Sequence, residues 1–468
     1  MNIISNSFVA VLSKIIEVII GIFSGIILMR ILAPKDYGTF AIIWALNALF
    51  AGILDVGLTS SYIKSDNITK KLRDSFFTLN IVLGLITTLL FMITAPIVSK
   101  IYDNDELFYL ITFFSLSSFI SSLSLQHSAE LTKEKKFVTL TNINIFSSLV
   151  GVSLSIWAAK NNWGVWTFNI GVVSRSIIYT LTIWFFSLFA HSIVNLKTIK
   201  IFKTEIIFGL KVFVGRLLNG IFNSIDKFVL GSMVSPEILG NYRSAQNYSR
   251  MTHTHLRMPI GSVIYTYIER YSAQNKKNIY NKFAIICMII TLMINGLLLL
   301  EGDLLFLTIF GPKWELAADY IKYFSIFSMG IVFKGIYTVI MMSEDKVNKI
   351  NVFSSLSILI LFIQLISFYL LEYSLLNFII IFSGSIFTMW VIVLCIELKS
   401  ITQDFQFTNY FFLCLIITIL LRYVSEKVLL NVSSVNTIIL AGTFELSLII
   451  ILYIYYKNNI RDRKLINV

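Results

Sequence analysis

Charge is what this chain has least of. Only 14% of its 468 residues are Asp, Glu, Lys or Arg, against about 25% in a soluble globular protein. With 56% hydrophobic residues and a mean hydropathy of +0.80, a water-soluble fold would leave far too much apolar surface exposed. The chain is therefore predicted to use lipid as its solvent. The 5 prolines and 22 glycines are too few for disordered or collagen-like sequence. The three cysteines, Cys287, Cys395 and Cys414, sit singly in apolar runs without CxxC spacing, which excludes a disulfide framework and a cysteine-ligated metal centre. No cofactor is expected, and no GxxxxGK[ST] phosphate loop for ATP is present. Long polar loops are missing too: none exceeds roughly 20 residues, whereas a folded extramembrane domain needs at least ~50. That excludes receptors with ectodomains, pumps carrying their own nucleotide domain, and glycosyl transferases or polymerases that work through a large external loop.

Apolar segments are what the chain has. A bilayer core needs about 20 apolar residues per helix, and the sequence divides into about 14 such segments, the eighth beginning near Gly240 and the last two near Tyr410 and Asn436. The expected fold class is all-α and polytopic. The N-terminus lacks the charged region and cleavage site of a secretory signal and is expected to form a first membrane helix. A net charge of +12 raises nucleic acid as a partner, but the Lys and Arg residues lie mostly in short loops. With both termini placed in the cytoplasm, about 21 of the 38 fall on that side and about 7 opposite, an orientation signal by the positive-inside rule.

The chain also repeats itself. Leu32-Ala33-Pro34-Lys35-Asp36-Tyr37-Gly38-Thr39-Phe40 aligns without gaps, at an offset of 202, with Val234-Ser235-Pro236-Glu237-Ile238-Leu239-Gly240-Asn241-Tyr242. Each lies in the turn before the second helix of its half, where Pro and Gly suit a tight reversal. Ile101-Tyr102 with Glu106-Leu107 resembles Ile309-Phe310 with Glu315-Leu316 in the same way. Two lobes of about six helices each follow, of the same orientation, with a pair of helices outside the repeat. The expected divisions are an N-terminal lobe at 1–205, a C-terminal lobe at 206–400, and two final helices with a cytoplasmic tail at 401–468.

A charge at the bilayer centre costs on the order of 3 kcal/mol, so intramembrane charges face protein or a wet cavity. In the eighth segment Arg243, Gln246, Arg250, His253 and Arg257 recur at steps of 3, 4, 3 and 4, which on a regular α-helix confines them to one narrow face. In the seventh, Arg216, Asn219, Asn223 and Asp226 repeat the 3, 4, 3 spacing. Three arginines along one helix suit an anion, because guanidinium binds phosphate bidentately and keeps its charge when desolvated. Asn and Gln offer the donors and acceptors that sugar hydroxyls need. Lys211, Lys227, Arg175 and Lys334 are further contributors to the field. In the first half the repeat places Lys14 and Glu17 on the stripe, with Ala48 matching Arg250 and Asp55 matching Arg257, so the cavity is expected to be asymmetric. Plainer readings stay open: Arg243 and Arg257 snorkelling to the headgroups, Lys14 with Glu17 as an intrahelical pair, Asp55 and Asp226 as neutralising partners, and His253 and His255 as structural residues. Glu301 and Asp303 are expected to mark the outer end of the ninth helix.

The sequence resembles the polysaccharide transporter family, the bacterial oligosaccharide flippases of the multidrug/oligosaccharidyl-lipid/polysaccharide exporter superfamily. The likeness rests on Leu28-Met29-Arg30-Ile31-Leu32-Ala33-Pro34-Lys35-Asp36-Tyr37-Gly38, on Asn223-Ser224-Ile225-Asp226-Lys227-Phe228-Val229-Leu230-Gly231 followed by Leu239-Gly240-Asn241-Tyr242, and on Phe310-Gly311-Pro312-Lys313-Trp314. The resemblance implies a two-lobed, alternating-access protein of the bacterial plasma membrane. It would move undecaprenyl-diphosphate-linked oligosaccharide, an O-antigen or capsule unit, from the cytoplasmic to the outer leaflet through a cationic cavity. On that reading Arg250, Arg257 and Arg216, with Arg243, meet diphosphate or acidic sugars. Asn219, Asn223 and Gln246 meet sugar hydroxyls, and Asp226 orients an arginine. Glu17, Asp55 and His253 are the candidates for coupling to a proton or sodium ion, polysaccharide assembly proteins are expected partners, and no metal site or enzymatic activity is expected. Alternative readings are export of another amphipathic substrate, a membrane glycan polymerase or ligase, and a scaffold in a glycan assembly complex.

Overall fold

The computed structural model describes residues 3–54, 56–65, 68–187, 192–194, 203–268, 271 and 273–401. The two spans expected near Tyr410 and Asn436, the tail and Asp55 lie outside the described residues. Among the described residues nine helices are long and apolar enough to cross a membrane. The described residues pack as two units, one ending at Gly240 and the other beginning at Asn241.

The first unit contains α1 (Ile3–Ile31), α2 (Pro34–Leu54), the short α3 (Leu58–Lys64), α4 (Lys70–Ile101), α5 (Glu106–Lys133), α6 (Phe137–Lys160), α7 (Trp166–Phe186) and α8 (Lys203–Gly231). α4 packs along α5, α6 along α7 and α1, and α2 along α8. Lipid offers no hydrogen bonds, so hydroxyls in these helices must find acceptors within the protein. They turn back onto the preceding turn: Thr78 Oγ1 donates to the Asp74 carbonyl at 2.8 Å and Thr87 Oγ1 to the Leu83 carbonyl at 2.8 Å. Aromatic rings fill the helix junctions, with Phe40 stacked on Phe168 at 4.6 Å between centroids and Phe91 at 5.7 Å from Phe114.

The second unit opens within α9 (Pro236–Ser249), continues through a π-helical segment (Thr252–Arg257) into α10 (Met258–Ile268), then α11 (Ala273–Thr291), a second π segment (Leu292–Gly296) and α12 (Leu297–Phe310). A 3₁₀ turn at Pro312–Trp314 leads to α13 (Glu315–Ser343), α14 (Val347–Leu371) and α15 (Leu375–Ile401). α13 is the axis of this unit: most of it is buried, packed on α12 and α15, with Trp314, Phe324 and Tyr337 excluded from the surface.

The second unit departs from regular helix at two places. The eighth span is not one α-helix, because the π segment interrupts it between Ser249 and Met258. Pro259 follows two residues later; it has no N–H to donate and crowds the carbonyl of the preceding turn, which a widened turn accommodates. The ninth span does not end at Glu301 and Asp303, as its sequence suggests. It bends at Glu301, whose φ is −126° and ψ 23°, and continues to Phe310. Asp303 can lie within the helix because Lys322 of α13 neutralises it.

The repeated turns of the sequence fold alike. Pro34 and Pro236 are each the first residue of a helix, where the missing N–H costs nothing. The two copies cap that helix by different means. In the first, Asp36 reaches back to accept the Ala33 N–H at 3.0 Å; in the second, Ser235 Oγ reaches forward to the Ile238 N–H at 3.4 Å.

Candidate functional site

The two capped turns touch. Gly38 lies against the carbonyl of Pro236 and Gly240 against the carbonyl of Pro34, so a Cβ at either glycine would penetrate the other turn's backbone and stand 2.9 Å from the partner glycine's nitrogen. Only glycine permits this approach. Beside it Tyr102, at the end of α4, donates its hydroxyl to the Phe228 carbonyl of α8 and packs edge-on to the Phe228 ring at 5.8 Å. Burial pushes the Tyr102 hydroxyl pKa upward, so it remains a donor. Farther along, Gly220 of α8 faces the Ala48 carbonyl and Gly52 faces Phe213, closing α2 onto α8.

Cations gather in the second unit. Arg250 places its guanidinium 5.8 Å from the centre of the Phe327 ring, an arrangement that retains charge in an apolar setting. Arg257 is fixed from two sides, donating Nη1 to the Gly335 carbonyl at 3.2 Å and lying with Nη2 3.1 Å from His253 Nε2. Gly335 makes room for that guanidinium, since a Cβ there would come within 2.8 Å of Nη2. The third guanidinium nitrogen, Nε, is buried with no acceptor. Lys334 of α13 brings its ammonium 5.7 Å from the centre of the Trp390 ring, and the charges of Arg250 and Arg257 act on it. A concentration of like charge with a buried, unfilled donor is an environment that an anion would stabilise.

The π turn carries part of this group. His253 and Arg257 lie four residues apart in it, and Thr252 accepts a hydrogen bond from Asn295 of the second π segment at 3.2 Å. Gln246 is buried on α9 and Arg243 half-buried. In the seventh span, Asp226 pairs with the adjacent Lys227 at 3.0 Å, and Lys227 also donates to the Asn223 carbonyl at 2.7 Å. The side chains of Arg216, Asn219 and Lys14 lie outside what is described, and Glu17 is half-buried on α1.

One polar group escaped the sequence reading. Arg73 of α4 lies 3.6 Å from Glu130 of α5, with Gln126 within 3.5 Å of the same carboxylate oxygen. Lys133, one turn further, donates to the carbonyls of Tyr62, Ile63 and Ser65, closing the end of α3. Its residues belong to ends of helices rich in Lys and Glu, where sequence suggests only solvated charge. Lys334 is different: it is a lone cation deep in an apolar helix, and that isolation is its signal.

A family model described as polysaccharide biosynthesis protein matches residues 27–319. The chain is 23% identical over 310 residues to an uncharacterized membrane protein in the cps region of Klebsiella pneumoniae, and 22% over 281 residues to the teichuronic acid biosynthesis protein TuaB of Bacillus subtilis (strain 168). The alignments cover 65% and 58% of this chain, and the chain spans 63% and 57% of the length of those relatives. Among solved structures, lipid II flippase MurJ in its inward closed conformation superposes with a TM-score of 0.74 at 15% identity, over 98% of this chain and 100% of that one. An inward-facing multidrug resistance MATE family transporter of the MOP superfamily gives 0.61 at 14% identity, over 82% and 94%. At these identities the likeness is one of fold: an all-α protein that crosses the membrane many times.

Proposed function

The chain belongs to the polysaccharide biosynthesis protein family, and on that premise we propose that it is a flippase for lipid-linked oligosaccharide. Its substrate is an O-antigen or capsular repeat unit on undecaprenyl diphosphate, carried from the cytoplasmic to the outer leaflet of a bacterial plasma membrane. The observation that carries this reading is the cation group of Arg250, Arg257 and Lys334 inside a membrane-spanning unit. A diphosphate crossing a bilayer needs fixed counter-charges that do not themselves have to be desolvated at each passage.

In the mechanism that follows, lobes 1–205 and 206–400 alternate in access, and 401–468 supplies two further helices. With both termini cytoplasmic, the seam of Gly38 and Gly240 lies at the outer end, and it is shut. The cation group then receives the diphosphate from the cytoplasmic side while Gln246, Asn219 and Asn223 meet the sugar hydroxyls. Asp226, held by Lys227, orients the polar face of its helix. Arg216 and Arg243 extend the positive path, and the seam opens to release the substrate outward. The driving force is an ion gradient, proton or sodium, with Glu17, Asp55 and His253 as the groups to test. Bond formation is no part of this reading, and assembly proteins of the same polysaccharide are its natural partners.

The test is movement of a radiolabelled lipid-diphosphate oligosaccharide in proteoliposomes, comparing wild type with Arg250→Ala and Arg257→Ala at equal protein. Movement that collapses in both variants is the expected result. Movement unaffected by either would leave a flippase whose cations are structural. No movement under any imposed gradient, or new glycosidic bonds made by the purified protein, would move the reading to a scaffold or to a polymerase or ligase.

A further inference from the structure

His253 stands above among the groups to test for ion coupling, and its contacts decide whether it takes up a proton. Its Nε2 lies 3.1 Å from Nη2 of Arg257. A guanidinium has N–H groups to donate and no lone pair with which to accept, so this contact is a hydrogen bond only if Nε2 carries no proton. The ring's proton is then on Nδ1, which is buried short of a full hydrogen bond, with the Ile331 backbone of α13 acting on the ring. An imidazole in water favours the opposite tautomer; here the donor at Nε2 sets the choice. A second proton would set N–H against N–H across 3.1 Å. It would also add a fourth positive charge, since Arg250, Arg257 and Lys334 already act on the ring.

A neutral ring has a use beside an arginine. Arg257 has two anchors, one on each terminal nitrogen: His253, four residues back in its own span, and the Gly335 carbonyl of α13 at 3.2 Å. Together they fix the plane of the guanidinium. Neither anchor carries negative charge. A carboxylate in place of His253 would hold the same nitrogen but cancel the charge that an anion is to meet, whereas a ring with one lone pair holds it and cancels nothing. Nε of Arg257 stays buried without an acceptor.

We propose that His253 is a positioning residue for the diphosphate: as a neutral Nδ1–H ring it holds one arm of Arg257 with the positive charge undiminished, and it takes up no proton during transport. The inference rests on the function proposed above, and it leaves ion coupling to other residues.

The experiment uses full-length protein in nanodiscs with isotope-labelled histidine, and farnesyl diphosphate as the binding probe. The chain has 4 histidines, and the resonance missing from His253→Gln identifies the ring. At neutral pH the ring nitrogens of His253 should report the neutral Nδ1–H form, and Arg257→Met should return the ring to the Nε2–H form that water favours. His253→Leu should weaken probe binding by about tenfold, as Arg257 loses an anchor. His253→Gln, whose amide oxygen accepts from Arg257 as Nε2 does, should restore binding and gradient-driven translocation to within about threefold of wild type. His253→Glu, which holds the arginine and neutralises it, should weaken binding more than His253→Leu does. A protonated or Nε2–H ring in the wild type would overturn the proposal, as would His253→Leu binding the probe like the wild type. A His253→Gln protein that binds the probe yet no longer answers a proton gradient that drives the wild type would make His253 the proton carrier and leave the flippase reading standing. A wild type with the Nδ1–H ring that does not bind the probe would overturn the flippase reading and the anion site with it.

Discussion

The second span of each half starts in the same way and finishes differently. Both open on a proline at the first helical position and place a glycine four residues on, and at those glycines the two copies meet backbone to backbone. Beyond that point the first copy runs as plain α-helix to Leu54, with Ala48 where its counterpart has Arg250. The second copy widens into a π turn and carries Arg250, His253 and Arg257. The copies are alike where their glycines meet and unlike where the second carries its arginines.

The largest effect is expected from breaking what the copies share. Gly38→Val, or separately Gly240→Val, drives a branched side chain into the opposite carbonyl. In a variant lacking the native cysteines and carrying Leu239→Cys, labelling by a membrane-impermeant maleimide should rise by about tenfold or more, with transport lost. Erasing the difference between the copies comes next. Arg257→Gln should lower translocation by about tenfold at unchanged protein level, and Arg257→Lys by about threefold, because the ammonium keeps the charge but loses the fork that grips Gly335 and leaves Nε over. Pro259→Ala should have a smaller effect, about twofold on translocation, by restoring an N–H and letting the π turn tighten toward α geometry. The smallest is Tyr102→Phe: losing the bond to Phe228 should cost about 1 kcal/mol of stability, read as a lower thermal midpoint, with translocation unchanged.

Most of the fold was legible because lipid imposes a coarse rule. Apolar runs of sufficient length, Pro and Gly at the turns and Lys in the loops fix spans and their breaks, and the offset between Pro34 and Pro236 exposes the repeat. The continuity of individual helices was less legible. A π turn has no compositional signature, so the spacing of Arg250 and Arg257 reads as regular α-helix. Asp303 reads as a helix end because its partner, Lys322, is 19 residues away in sequence and belongs to another span. The arginines were legible as charges in an otherwise apolar segment, but their partners, the Phe327 ring beside Arg250 and the Gly335 carbonyl at Arg257, were not. Trp390 was not: nothing distinguishes a tryptophan that holds an ammonium from one at the headgroups, because the difference lies in what the neighbouring helix places over its face. Glu130 was hidden for the opposite reason, in a stretch where charge looks ordinary.

The two π segments also bear on how the halves differ in length. The copies are 202 residues apart at Pro34 and Pro236 but 208 apart at Ile101 and Ile309, so the stretch from the start of the second span to the end of the third is six residues longer in the second. A π turn is an α turn with one residue inserted, and the inserted turns at Thr252–Arg257 and Leu292–Gly296 are joined by the bond between Thr252 and Asn295. Because the widened turn takes up the extra residue, the helix on either side of it keeps its phase. A single-codon deletion within either segment is thus a different kind of change from any substitution there: it should close the wide turn to a plain α turn, leave the rest of the span in place, and part Thr252 from Asn295.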